Sequence, residues 1–306
     1  MSVKLVYKFS EGGEDMRPLL GGKGAGLAEM TRVGLHVPPG FTITTEACKS
    51  YYESGQGLSE SLKEDIVAHM EALEQETGKS FGGHNVPLLV SVRSGAPVSM
   101  PGMMDTVLNL GLNDQSVVGL YEATGDLRFS YDCYRRFIQM FGNVVLDIEH
   151  HEFEREFSIL KRSEGAAQDQ DVSAQGLRSL VETYKGIVKE KAGIEFPSDP
   201  YEQLFMAVSA VFRSWNNQRA IIYRKINKIP DSLGTAVNIQ VMVFGNMGNE
   251  SATGVMFTRD PSTGENVLYG EYLVNAQGED VVAGLRTPKH ISEIDNDLPG
   301  MLGELK

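Results

Sequence analysis

The residues best suited to chemistry in this chain are cations set among glycines. The segment Gly21-Gly22-Lys23-Gly24-Ala25-Gly26 places one lysine in a run of small residues, which let backbone N–H groups approach an anion. Two standard phosphate patterns do not fit it. A P-loop needs glycine where Arg17 stands and serine or threonine where Gly24 stands, and the dinucleotide fingerprint needs glycine where Leu27 stands. On spacing alone the segment reads first as a tight turn before a helix, and Lys23 becomes a ligand candidate only with a second cation. Ser91-Val92-Arg93-Ser94-Gly95 offers one, a guanidinium at the carboxyl end of an apolar strand, the edge where open α/β sheets collect ligands. An arginine fork can grip phosphate oxygens, each charge-assisted bond contributing roughly 1.5–3 kcal/mol. The plain alternative is an arginine paired with an acid.

Three weaker signals follow. Ser99-Met100-Pro101-Gly102-Met103-Met104-Asp105-Thr106 combines flexible glycine with bulky methionine, the composition of a lid or of an apolar plug. Ser251-Ala252-Thr253-Gly254 has hydroxyl and backbone donors for phosphate, or is an ordinary turn. Gly270-Glu271 and Gln277-Gly278-Glu279-Asp280 bring carboxylates that suit Mg²⁺ or ribose hydroxyls, or are solvated turn acids. The histidines, at 36, 69, 84, 150, 151 and 290, fall in no metal or nucleophile pattern. No nucleophile elbow is present.

Composition bounds the rest. With 306 residues, 41% of them hydrophobic, the chain can bury a full core in two or three subdomains. A net charge of -13 argues against nucleic-acid binding, while local cations can still hold a small phosphate ligand. Cys48 and Cys133 lack metal spacing and are read as packing residues of a reducing cytoplasm. No apolar run has the length of a signal peptide or membrane span, so a soluble, intracellular protein is expected.

The elements that must position these residues are mixed α/β. Residues 23 to 33 read as a helix closed by Gly34, Phe41 to Thr44 as a short strand leading into a helix from Thr45, and 58 to 77 as a further helix. Pro87 to Arg93 reads as a strand buried on both faces. From Asn113 to Phe196 the sequence is charged and helix-forming, with a turn at 168 to 171. One helix is expected over Tyr201 to Asn227, with Val208, Val211, Phe212 and Trp215 as its core stripe. Thr235 to Phe244 alternates as a strand with one β-branched face. Gly254 to Arg259 and Asn266 to Asn275 read as an antiparallel hairpin across Asp260-Pro261-Ser262-Thr263-Gly264. The tail from Ile291 offers no obvious element.

Taken in order, Leu20 to Gly24 with Leu27-Ala28-Glu29-Met30, Pro39-Gly40-Phe41, Ser91 to Ser94, Met100 to Asn113 and Tyr269 to Gly284 resemble the N-terminal domain of the pyruvate, phosphate dikinase family. The resemblance runs from end to end. The related phosphoenolpyruvate synthases share the lysine loop and the Val-Arg-Ser strand but place an acidic stretch where Met100 to Thr106 stands, so they are the second reading. A stand-alone nucleotide-binding module is a third.

The resemblance implies an α/β, ATP-grasp-like fold with nucleotide between two subdomains. The first would comprise residues 1–112 and 197–243, with a helical insertion at 113–196, and the second 244–306. It implies ATP and Mg²⁺ as ligands and transfer of the β-phosphoryl, with γ attached, to a histidine on another domain. Phosphate then takes the γ group, and pyruvate becomes phosphoenolpyruvate in a further domain. The full-length protein is expected to be a homodimer, with no nucleic-acid or membrane partner. By resemblance Lys23 and Arg93 are the catalytic phosphate-binding cations, Gly102 lies in the loop covering the phosphates, and Thr253 and Gly254 belong to a second phosphate loop. Gln240 and Met242 border the adenine, Glu279 and Asp280 lie near the ribose, and Arg135 or Arg136, with Arg136 taken as the contact, lies near the nucleotide. Glu271 is the one metal-ligand candidate. The family's principal Mg²⁺ ligands would fall past Lys306, so the chain reads as a truncated member that binds ATP weakly and makes no phosphoenolpyruvate alone.

Overall fold

The computed structural model describes residues 4–282 and 286–306, with the backbone alone at Glu279 and Val282. It contains two compact units, residues 1–242 and 243–306.

The first unit is built around one sheet. Its strands are β1 (Val6–Lys8), β2 (Gly40–Ile43), β5 (Val90–Gly95), β6 (Thr106–Leu110) and β7 (Ala236–Val241), in the order β1-β2-β7-β5-β6. Every pairing in it is antiparallel. A separate short parallel pair joins β3 (Ser80–Phe81) to β4 (Pro87–Leu88). The helices are α1 (Arg17–Arg32), α2 (Thr45–Glu53), α3 (Glu60–Thr77), α4 (Ser116–Thr124), α5 (Leu127–Val144), α6 (His150–Glu164), α7 (Ala174–Ala192), α8 (Pro200–Ser214) and α9 (Gln218–Asn227). The starts of six of them are set by side-chain oxygens of Thr44, Ser59, Asp126, Ser173, Asp199 and Asn217, each accepting an otherwise unpaired backbone N–H.

The two faces of this sheet differ in chemistry. Side chains alternate along a strand, and the register pairs Val92 with Ile239, Ser94 with Val237, Phe41 with Ile239 and Ile43 with Val237. Val90, Val92, Val107, Val237, Ile239, Phe41 and Ile43 therefore form one apolar face, and all are buried. The other face carries Ser91, Arg93, Thr42, Asn238 and Gln240, since Ser91 pairs with Gln240 and Arg93 with Asn238. Polar groups on an interior sheet face cost free energy unless they find partners. A function for that face would account for them.

In the second unit β8 (Ala252–Phe257), β9 (Tyr269–Val274) and β10 (Lys289–His290) form an antiparallel sheet, with α10 (Gly278–Val282), α11 (Ile294–Asp297) and α12 (Met301–Leu305). The hairpin turn expected at Asp260 to Gly264 is present. Asp260 Oδ1 accepts from the Ser262 and Thr263 amides, and Gly264 takes φ 78°. Tyr272, Ile291 and Ile294 form its small core.

The mixed α/β class agrees with the sequence reading, and several elements differ from it. The helix expected over Tyr201 to Asn227 is two, because Asn217 caps α9 and the Trp215–Asn217 corner is fixed by Arg224. This buried guanidinium lies 4.1 Å from the Trp215 ring and donates to the Trp215 carbonyl. The strand expected from Pro87 is divided between β4 and β5. The tail is not featureless, since Ile291 and Ile294 anchor short helices on Tyr272. Val243, expected on a β-branched strand face, is 71% exposed and lies past the end of β7.

Candidate functional site

The glycines of the lysine segment act through contact. Helix α1 breaks at Gly21, which adopts φ 70° and ψ 170°, and a Cβ there would lie 1.6 Å from the Gly95 carbonyl oxygen. Gly22 N donates to the Ala96 carbonyl at 2.9 Å. A Cβ on Gly24 would meet Thr42 Oγ1 at 2.8 Å and Asn238 Oδ1 at 2.9 Å. Any larger residue at Gly21 or Gly24 would lift the helix off the sheet, so these glycines lay the start of α1 directly on the polar face.

That approach delivers Lys23 to Arg93. Lys23 Nζ donates to the Ser94 carbonyl at 2.9 Å. Burial lowers the Lys23 pKa, and the neighbouring Arg93 charge lowers it further. Burial likewise lowers that of Arg93. Lys23 keeps a solvent-exposed surface and Arg93 is half-buried, so the surroundings remove water without closing the site.

Arg93 does not sit at the carboxyl end of its strand, as the sequence suggested. It pairs with Asn238 on one side and Thr106 on the other, with Ser94 and Gly95 following it in β5. Because the sheet is antiparallel, the rule that places ligands at the edge of parallel sheets does not apply. Nor is Arg93 paired with an acid among the described residues. Its Nη2 donates to Gln240 Oε1, and its Nε is buried with no partner among the described residues. Two like charges thus lie together on a sheet face with neutral partners, in a chain with 41 acidic residues and net charge -13. Such a pair is unfavourable by itself and favourable around an anion.

The other candidates of this unit sort by position. Gly102 tips the methionine loop, with φ 70°, and a Cβ there would have nothing within 4 Å. The loop's flanks are held: Met100 packs with Trp215 and Ala220, Asn217 Nδ2 donates to the Met103 carbonyl at 2.9 Å, and Asp105 pairs with Arg219 at 2.6 Å. Met242 donates its amide to the Leu89 carbonyl at 2.9 Å. Arg135 is buried, pairs with Asp132 at 2.8 Å and lies 4.2 Å from the Phe157 ring. Arg136 also pairs with Asp132, at 3.1 Å, from a less enclosed position. Burial alone would raise the Asp132 pKa, but Arg135, Arg136 and Arg128 outweigh it and hold the carboxyl at about 2. The arginine pair therefore has a structural role on α5 that the sequence did not disclose.

In the second unit Thr253 and Gly254 lie in β8, and a Cβ on Gly254 would come 2.7 Å from the Glu271 carbonyl. Asp280 is buried and accepts from the Gln277 amide at 2.9 Å, closing the turn into α10. The Glu279 side chain lies outside the described residues. Glu271 is exposed on β9, in register with Val255 and His290. Among the described residues no three His, Cys, Asp or Glu side chains come together as a metal site. No helix of the described residues is long and apolar enough to cross a membrane.

Sequence reasoning missed the contact between Gln240 and Arg93, residues 147 positions apart, and the anchor formed by Asp105 and Arg219. The alternation of Asn238 and Gln240 with Val237, Ile239 and Val241 was the available signal for a polar face.

Comparison with known proteins identifies the family. The family profile described as pyruvate phosphate dikinase, AMP/ATP-binding domain, matches residues 17–63 and 55–302. The chain is 56% identical over 297 residues to a pyruvate, phosphate dikinase of Clostridium symbiosum, covering 97% of this chain and 34% of that protein. It is 56% identical to the chloroplastic pyruvate, phosphate dikinase 1 of Arabidopsis thaliana, covering 99% and 32%, and 55% identical to pyruvate, phosphate dikinase 2 of Zea mays, covering 99% and 35%. The chain thus spans about a third of the length of these relatives.

Proposed function

The chain belongs to the pyruvate phosphate dikinase AMP/ATP-binding domain family, and from that premise we propose that it binds ATP through its triphosphate and presents it for phosphoryl transfer. The observation that carries this reading is the Lys23 and Arg93 pair, two neighbouring cations with neutral partners, brought together where glycines let the start of α1 lie directly on the polar sheet face. Phosphoryl transfer requires positioning and cancellation of negative charge more than covalent help from the protein. An ammonium acting as a point charge and a planar guanidinium fork divide that work in the usual way. ATP enters as its magnesium complex, with the metal carried by the substrate.

In this proposal Gly102 at the free tip of an anchored loop covers the phosphates and Met242 borders the base, while Thr253 and Gly254 are phosphate donors of the second unit. Arg136 serves the nucleotide side of the helical segment, with Asp132 holding its guanidinium in place. Residues 1–112 and 197–243 act as the first ATP-grasp subdomain, 113–196 as a helical insertion and 244–306 as part of the second. Within a protein of the relatives' length, the phosphoryl group would pass by way of a histidine to pyruvate, giving AMP, pyrophosphate and phosphoenolpyruvate from ATP and phosphate. Such a protein would be a homodimer working in a reducing cytoplasm, which suits the two buried free cysteines.

Titration of the folded chain with MgATP and with inorganic tripolyphosphate tests the binding claim. Arg93→Glu is expected to remove both interactions. Equal binding by wild type and variant would overturn the assignment. In a protein that also carries the remaining domains, Arg93→Glu is expected to abolish the ATP half-reaction while sparing exchange between phosphoenolpyruvate and pyruvate.

A further inference from the structure

Gln240, expected to border the adenine, makes contacts that suit another task. We infer that Gln240 is a positioning residue that aims the Arg93 guanidinium at the polyphosphate without neutralising it. This inference rests on the phosphate-site reading above.

A carboxamide has a donor end and an acceptor end, and Gln240 has both assigned by its surroundings. Its Nε2 donates to the Pro38 carbonyl at 3.0 Å. Pro38 belongs to a segment tied to the same strand, since Val241 N donates to the Pro39 carbonyl at 3.0 Å. With the donor end held there, Oε1 must face Arg93, and it accepts from Nη2. Gln240 is only 7% exposed, so water cannot easily replace either bond. The guanidinium is thereby fixed through one nitrogen, and Nε remains without a partner among the described residues.

The choice of amide matters. A carboxylate at this position would orient Arg93 equally well and would cancel its charge, as arginine and carboxylate do wherever they meet. A neutral acceptor orients the fork and leaves its positive charge for a ligand. Asn238, the adjacent polar residue on the same face of β7, points its Oδ1 at Thr42 Oγ1 at 2.9 Å and has no side-chain bond to Arg93. Among these two amides the positioning task therefore falls on Gln240.

The test separates positioning from base recognition. The probes are inorganic tripolyphosphate, MgATP and MgGTP, titrated into the folded chain, with melting temperature measured alongside. Gln240→Met is expected to weaken tripolyphosphate and MgATP by a similar factor, roughly tenfold for one lost orienting bond, with the ATP-to-GTP preference unchanged. Gln240→Glu is expected to weaken both further, because the new carboxylate quenches Arg93, and it serves if the methionine variant does not fold. In nitrogen NMR the Arg93 Nη signals, assigned through Arg93→Lys, should be separate in wild type and merge in Gln240→Met as the fork gains rotational freedom. Unchanged tripolyphosphate affinity with a lost preference for ATP would show that Gln240 reads the base and overturn the inference. Wild-type chain that binds no tripolyphosphate would sink the phosphate site itself, and this assignment with it.

Discussion

Replacing Lys23 with methionine should leave the fold nearly untouched and remove much of the affinity for polyphosphate. Among the described residues the side chain of Lys23 bonds only to the Ser94 carbonyl, and its charge is disfavoured by burial and by Arg93. Losing that bond costs about 1 kcal/mol, and relieving the charge repulsion offsets part of it. With about 2–4 °C of melting temperature per kcal/mol for a chain of this size class, the shift should stay within roughly 3 °C. A bound phosphate loses a charge-assisted hydrogen bond worth roughly 1.5–3 kcal/mol, which is roughly a 10- to 150-fold rise in Kd. The assay is calorimetric titration with tripolyphosphate, paired with thermal melting. It also has a pH signature. Since the Lys23 pKa is lowered below 10.5, the ammonium loses its proton, and the site part of its affinity, as pH rises toward that value. The methionine variant should lack this decline. Affinity within about twofold of wild type, or the same decline in the variant, would refute the reasoning.

Two glycines of the same segment should behave oppositely. Gly21→Ala forces a methyl group against the Gly95 carbonyl at a positive φ and is expected to destabilise by roughly 3–5 kcal/mol, whereas Gly26→Ala meets nothing within 4 Å and should stabilise by about 0.5–1 kcal/mol; denaturant melts of both variants check this. Asp132→Asn removes the buried carboxylate that Arg135 and Arg136 share and should cost roughly 3–5 kcal/mol. The Asp132 pKa is depressed to about 2 from 3.8, so its contribution to stability is present above the unfolded value and is lost as pH falls through that interval; acid melts of the variant should lack this component. Burial pushes the Cys48 thiol up to about 11, so it should resist alkylation at about pH 8 in the folded chain and react only after unfolding, as followed by mass spectrometry.

Much of this fold could be read from local pattern. Ser59 and Gly78 bracket α3 as a cap and a left-handed terminator, and Val237, Ile239 and Val241 alternate as the apolar face of β7. The methionine loop in place of an acidic stretch favoured the dikinases over the synthases, and the relatives compared above are pyruvate, phosphate dikinases. What escaped depends on distant partners. The Pro38, Gln240 and Arg93 relay joins residues up to 202 positions apart, so no window of sequence contains it. The corner between α8 and α9 has no proline or glycine, and it is made by the Asn217 cap together with Arg224 buried against Trp215. Arg93 was found as a residue and misplaced within its strand, because the apolar run before it fits a parallel or an antiparallel neighbour equally well.

The central claim is that Lys23 and Arg93 hold one polyphosphate. A crystal structure of the chain with a non-hydrolysable ATP analogue tests it directly. Phosphate oxygens are expected within hydrogen-bonding distance of both Lys23 Nζ and the Arg93 guanidinium. A triphosphate bound away from either cation, with the Lys23 and Arg93 contacts to Ser94 and Gln240 unchanged, would contradict it.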